Sequence, residues 1–147
     1  MNRSNRVFVD SNVLIAALRS EDTLHQQAIK TIVALEQQAE AMVISNLIFL
    51  EVVTILSQRV SRSVAVKAGN DLLLHPLVEM IHVTETLQTD TWQIFTAAKN
   101  KNISFVDCSI MAVMKAEGVK DLLTFDQTEF RSLRKDHRFR FWYSMID

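Results

Sequence analysis

Only three of the chain's 147 residues are glycine or proline: Gly69, Pro76 and Gly118. Tight hairpins draw on these residues for their special backbone angles, so a chain this poor in them has little material for an all-β domain. Helices joined by short polar turns remain, and the apolar pattern agrees. Strand-like runs at Arg6–Val9, Met42–Ile44, Val78–Val83, Leu122–Phe125 and Phe139–Tyr143 alternate with segments of helical period. The helical segments run from Asp10–Asn12 to about Leu18, from Asp22 or Thr23 to about Ala39, and from Ser45 or Asn46 to about Arg59. Others run from Ser61 or Ser63 to about Leu74, from Thr84 to about Lys99, and from Ser104 to Glu117. Each opens on a residue whose side-chain oxygen can cap a helix, Gly118 is placed to end the last, and Pro76 stops the chain before the third strand. Strands separated by helices pair in parallel through right-handed crossovers, which predicts an α/β sandwich with helices on both faces of the sheet.

At 48% apolar residues the chain can bury one core, and a single domain over residues 1–147 is expected. The lone Cys108 has no disulfide partner and reads as a small core residue in a reducing compartment, which predicts the cytoplasm. Arg3 and Arg6 precede an apolar run that Asp10, Ser11 and Asn12 interrupt at once, unlike a secretory signal. The most apolar window, Leu47–Val53, carries Glu51 and is too short to cross a bilayer, so no membrane association is expected.

Acidic residues recur where such a sheet gathers its functional groups, beyond the carboxyl ends of the strands. Asp10 closes the first strand and Asp126 follows the fourth. Each has a structural alternative: Asp10 can cap the next helix, and Asp126 can start a turn. Asp107 shares a helix face with Ile110, Met111 and Met114, and also completes a capping-box pattern with Ser104. Glu51 borders the apolar sector of its own helix and reads equally as a surface carboxylate. Taken jointly, four carboxylates at one sheet end would repel one another, and a divalent cation resolves the conflict. Oxygen-only ligands suit Mg²⁺ or Mn²⁺, and the four histidines show no zinc-type spacing. Such ions activate water and neutralise phosphate, so hydrolysis of a phosphodiester is the chemistry expected of Asp10, Glu51, Asp107 and Asp126. Ser11 can hydrogen-bond a carboxylate or the phosphate, or serve as a second cap.

Four blocks carry a family resemblance: VFVDSNVLIAAL at 7–18, NLIFLEVVTIL at 46–56, SFVDCSIMAVMKAEG at 104–118 and DLLTFDQTEF at 121–130. Their order and spacing resemble the PIN domain, above all its small bacterial and archaeal VapC-type toxins. The resemblance implies a three-layer α/β sandwich with a parallel sheet of about five strands, and endoribonuclease activity dependent on Mg²⁺ or Mn²⁺. It also implies a homodimer and a small antitoxin partner. Asp10, Glu51, Asp107 and Asp126 match the family's acids, and Ser11 stands where its members usually have threonine. Glu129 follows the last block without matching clearly and is not assigned. A PIN-like scaffold that binds RNA or protein with weak or no catalysis is the alternative. A phospho-receiver and a dehalogenase-like phosphatase fit less well, because Ser11 and Thr84 stand where the first needs acids and Asn12 where the second does.

The net charge of −1 hides a segregation, since residues 131–147 hold five of the 16 Lys/Arg and only two of the 17 acids. Arg131, Arg134, Lys135, Arg138 and Arg140 are candidates for phosphate contact, with a solvated face as the alternative. The helix from Arg62 to Leu74 supplies candidate dimer contacts, or ordinary core.

Overall fold

A computed structural model describes residues 5–39 and 41–142. The expected alternation is present: β1 (Arg6–Val9), α1 (Ser11–Leu18), α2 (His25–Gln38), β2 (Ala41–Ser45), α3 (Asn46–Arg59), α4 (Arg62–Leu74) and β3 (Val78–Ile81). The second half adds α5 (Glu85–Ala97), α6 (Phe105–Glu117), β4 (Asp121–Leu123), α7 (Gln127–Arg131) and β5 (Arg140–Phe141). All the strands pair in parallel, in the order β3-β2-β1-β4-β5.

Burial follows that order. The three apolar residues of central β1, Val7, Phe8 and Val9, are completely buried, each contributing roughly 1.5–3 kcal/mol of transfer free energy. A strand covered on both faces reads as a continuous apolar run rather than an alternating one. Edge strand β3 is half-buried throughout, and β5 at the other edge is two residues long, which leaves little unpaired backbone exposed. Helix α6 is enclosed from Cys108 to Met114. Its bounds are chemical: Ser104 opens it with a full capping box, and Gly118, at φ 67, closes it in the left-handed conformation that a side chain would disfavour.

Several boundaries differ from expectation. Helix α2 begins at His25 because Asp22 spends its side chain on the amide of Leu24, making a local turn two residues ahead of the helix. β3 ends at Ile81, where Asn46 at the start of α3 takes the Val83 amide out of the ladder. β4 runs Asp121–Leu123, because the hydroxyl of Thr124 takes up the Asp126 amide and turns the chain into α7, a short helix that the apolar period did not announce. The last strand is confined to Arg140–Phe141, and the Tyr143 end of its expected range lies outside the described residues. No helix among the described residues is long and apolar enough to cross a membrane.

Candidate active site

The chain starts in the middle of the sheet at β1, moves outward through β2 to β3, then returns across β1 to build β4 and β5 on the other side. Connections therefore leave β1 and β4 in opposite directions, and a crevice opens between them at their carboxyl ends. Asp10 lies at this point, its amide extending the ladder to the Leu123 carbonyl at 2.9 Å.

Asp10 is 4% exposed and both of its oxygens are engaged. Oδ1 accepts the Ser11 amide at 2.8 Å, which is helix capping, while Oδ2 accepts the Thr124 hydroxyl from across the crevice at 2.8 Å. The expected capping role is thus real and does not remove the carboxylate from the crevice. Burial pushes the Asp10 carboxyl up to about 7; hydrogen bonds from Thr124 and Ser11 work against that rise, and the charges of Asp107 and Glu51 add to it. Those two acids come from α6 and α3, so distant sequence blocks converge here.

Glu51, in the second turn of α3, accepts a short hydrogen bond from the Ser11 hydroxyl. Asp107 resolves its two readings in the same way as Asp10. Its Oδ2 accepts the Ser104 amide at 3.0 Å while its own amide donates to the Ser104 hydroxyl, a capping box, and Oδ1 stands outside that box. Burial raises the Asp107 carboxyl above its ordinary range; the Ser104 hydrogen bonds lower it, and the charges of Asp126 and Glu51 raise it again. The electrostatic links among the acids therefore join all four.

Two further residues hold the site, and sequence reasoning missed what they do. Thr124 is fully enclosed, and its hydroxyl bonds Asp10, the Asn12 amide at 3.2 Å and the Asp126 amide at 3.0 Å. Asn12 spans from α1 to the end of β4, where its Oδ1 accepts the Phe125 amide at 3.1 Å. The signal available was a threonine two residues before an acid at a strand end; it became interpretable only once β1 and β4 were known to be neighbours.

The donor set, carboxylate and hydroxyl oxygen without histidine or thiolate, fits a hard divalent cation. Among the described residues no three acidic, histidine or cysteine side chains stand ready-made as a cage.

The basic residues divide. Arg131 lies on α7, just beyond Asp126, and donates to Gln127. Lys135 is exposed in the segment that follows. Arg140 pairs in register with Asp121 and bridges its carboxylate at 3.1 Å, which puts it at the amino end of β4, away from the acids. Arg134 lies over the rings of Phe139 and Phe141, and with Lys120, His137, Arg138 and Arg140 it lines a shallow groove around that same end.

Known proteins share this fold. A family model described as the PIN domain matches residues 7–136. The 23S rRNA-specific endonuclease VapC20 of Mycobacterium tuberculosis is 29% identical over 120 residues, spanning 82% of this chain and 88% of the relative. Its crystal structure, described as that of a sarcin-ricin loop cleaving toxin, superposes with a TM-score of 0.77 at 25% identity, covering 86% of this chain and 94% of that one. VapBC2 of Rickettsia felis, solved with a promoter DNA fragment, gives a TM-score of 0.67 at 16% identity, with 93% and 98% of the two chains covered. FitAcB of Neisseria gonorrhoeae gives 0.66 at 19%, with 91% and 96% covered. The last two likenesses concern the fold. With the family model covering nearly all the described residues, this chain belongs to the PIN domain family.

Proposed function

We propose that the chain is a divalent-metal-dependent endoribonuclease whose site is formed by Asp10, Glu51, Asp107 and Asp126, and that it acts as the toxin of a toxin-antitoxin pair. What supports this reading is the electrostatic coupling among four carboxylates carried by four elements, with the most buried of them raised to about 7 by burial and by its acidic neighbours. A folded chain gains nothing in stability from such crowding, whereas a cation site requires it. The description of VapC20 as an rRNA-specific endonuclease and toxin supports RNA as substrate and an antitoxin as partner.

In this reading Asp10, Asp107 and Asp126 would hold Mg²⁺ or Mn²⁺, with Glu51 helping directly or through water. The chemistry such an ion supplies, when bound, is acidification of a water and neutralisation of the scissile phosphate. The protein's part is positional. Thr124 and the Ser11 amide hold the Asp10 carboxylate in one orientation, and the Ser104 box does the same for Asp107. The Ser11 hydroxyl steers Glu51 toward the crevice, where Glu51 orients the attacking water. Arg131 is the best placed of the basic residues to meet phosphate beside Asp126. We further propose a homodimer through the α3–α4 face, where Leu50, Val66, Leu73 and Leu74 are largely exposed. Sedimentation should give a dimer; a monomer independent of concentration across the micromolar range contradicts it.

The test is direct. Purified protein with single-stranded and stem-loop RNA should cut internally in Mg²⁺ or Mn²⁺, stop in EDTA, and resume on metal return. Binding of both RNAs without cutting, across several divalent ions, supports the binding-scaffold alternative instead.

A further inference from the structure

Beside the acidic crevice lies a row of aromatic rings that the core does not use. Trp92 and Phe95, three residues apart on α5, are stacked with centroids 5.8 Å apart and planes at 25°. Phe95 meets Phe105 edge-on at 5.9 Å. Trp92 is 57% exposed and Phe95 37%, so the row keeps an open face. Phe105 is the first residue of α6, two positions before Asp107, and the row therefore ends on the helix terminus that presents the carboxylate.

The chemistry around the row is selective. Exposed Asp90 precedes Trp92 by two residues on α5, but from Trp92 to Val106 the chain holds no acidic residue, while Lys99 and Lys101 are both exposed in the connection from α5 to α6. That connection is a fixed turn, in which the Asn100 side chain accepts the Asn102 amide at 2.9 Å and its carbonyl accepts the Ile103 amide at 3.1 Å. On α5 the row is bordered by exposed Thr89 and Thr96, so it does not broaden into the wide apolar patch that a docking helix would need. Flat aromatic faces edged by ammonium groups are what an unpaired nucleotide takes: a π-face for the base and positive charge for the phosphate.

We propose that Trp92, Phe95 and Phe105, edged by Lys99 and Lys101, form a stacking platform for an unpaired base of the RNA substrate, next to the bond to be cut. This rests on the nuclease reading and adds to it a preference for unpaired nucleotides at the site. Trp92 is a binding and positioning residue, since it stands apart from the carboxylates.

Only Trp92 and Trp142 are tryptophans, so in a full-length Trp142→Phe protein the emission reports Trp92 alone. Titrated in EDTA, a single-stranded RNA oligonucleotide should quench that emission far more than the same sequence fully paired. Trp92→Ala should weaken single-strand binding by about 5- to 100-fold. Trp92→Phe should recover most of the loss, and thermal melting should be unchanged because the side chain is exposed. Replacing Lys99 and Lys101 with Gln should flatten the salt dependence.

The platform is overturned if Trp92→Ala binds and cuts single-stranded RNA within about twofold of wild type, or if RNA binds without quenching. It is equally overturned if the variant keeps RNA binding but loses a co-expressed protein partner, which would make the row a protein-docking surface. The two levels separate cleanly. Quenching by single strands without cutting under any ion keeps the platform and contradicts the nuclease reading, whereas cutting that ignores Trp92 does the reverse.

Discussion

The two ends of the sheet handle charge in opposite ways. At the amino end, Arg6 of β1 is almost enclosed and bonds Glu79 of β3 at 2.5 Å, with the Glu117 carboxylate at 3.2 Å and its carbonyl at 2.9 Å. Burial works against that guanidinium, but the two glutamates hold it charged. Arg140 of β5 meets Asp121 of β4, whose strand position pairs with Val7 next to Arg6. At the carboxyl end, Asp10, Glu51, Asp107 and Asp126 crowd together, and among the described residues no ion pair involves any of them. The amino end is arranged for stability, and Glu79, Glu117 and Asp121 are each paired with an arginine. The carboxyl end retains repulsion that a cation or a bound substrate complex can relieve, and that difference is what the proposed function builds on.

The comparison breaks most visibly in activity. Asp10→Asn should cut RNA at least about a hundredfold more slowly, while Arg6→Ala, corrected for folded fraction, should cut at the wild-type rate. Comparable losses in both would erase the distinction between the two ends.

pH should sharpen it. The folded Asp10 carboxyl sits at about 7, against 3.8 ordinarily, so between those values the folded chain holds a proton that the unfolded chain has released. In EDTA, stability should therefore be highest near pH 4 and fall as pH rises toward 7, by up to about 4 kcal/mol. Asp107, shifted in the same direction, adds to the slope. Denaturant midpoints in EDTA should flatten with pH in Asp10→Asn; an equal slope in wild type and variant contradicts the assignment. Mg²⁺ affinity should run the other way, rising with pH as the carboxylates ionise.

Much of this was readable before any coordinates. β1 was legible because a strand buried on both faces is a continuous apolar run, and α6 because its cap, period and closing glycine all agree. Each acid alone was ambiguous for a physical reason: capping uses one oxygen of a carboxylate and leaves the other outside the cap, as in Asp10 and Asp107, so a cap does not exclude a site role. The part that stayed hidden depends on neighbours set by topology. Thr124 gains its meaning from lying opposite Asp10, and the separation of Arg140 from Arg131 depends on the register of β5, whose two residues carry almost no periodic signal.

Smaller effects follow from the same map. Arg6→Ala should cost about 1–3 kcal/mol in urea unfolding, since it strands two half-buried glutamates, less than a fully enclosed pair would lose. Thr124→Val, which keeps the shape and removes the hydroxyl, should cost about 1–2 kcal/mol and raise the apparent pKa of Asp10, readable by carboxyl NMR. Arg140→Ala should change stability by less than about 1 kcal/mol, because its side chain is largely exposed. A larger loss there would mean that the amino end depends on its edge as well as on Arg6.

The central claim, that the four acids form one cation site, is tested most directly by thermal melts of wild type and Asp107→Asn at matched pH and ionic strength, in EDTA and in Mg²⁺. The substitution leaves an oxygen for the capping box and removes one negative charge from the cluster. In EDTA the variant should melt above wild type, Mg²⁺ should raise wild type more than the variant, and cleavage should fall steeply. Retained cleavage, an unchanged Mg²⁺-dependent shift and a mild destabilisation of about 0.5–1 kcal/mol in EDTA would leave Asp107 as a helix cap alone and contradict the account.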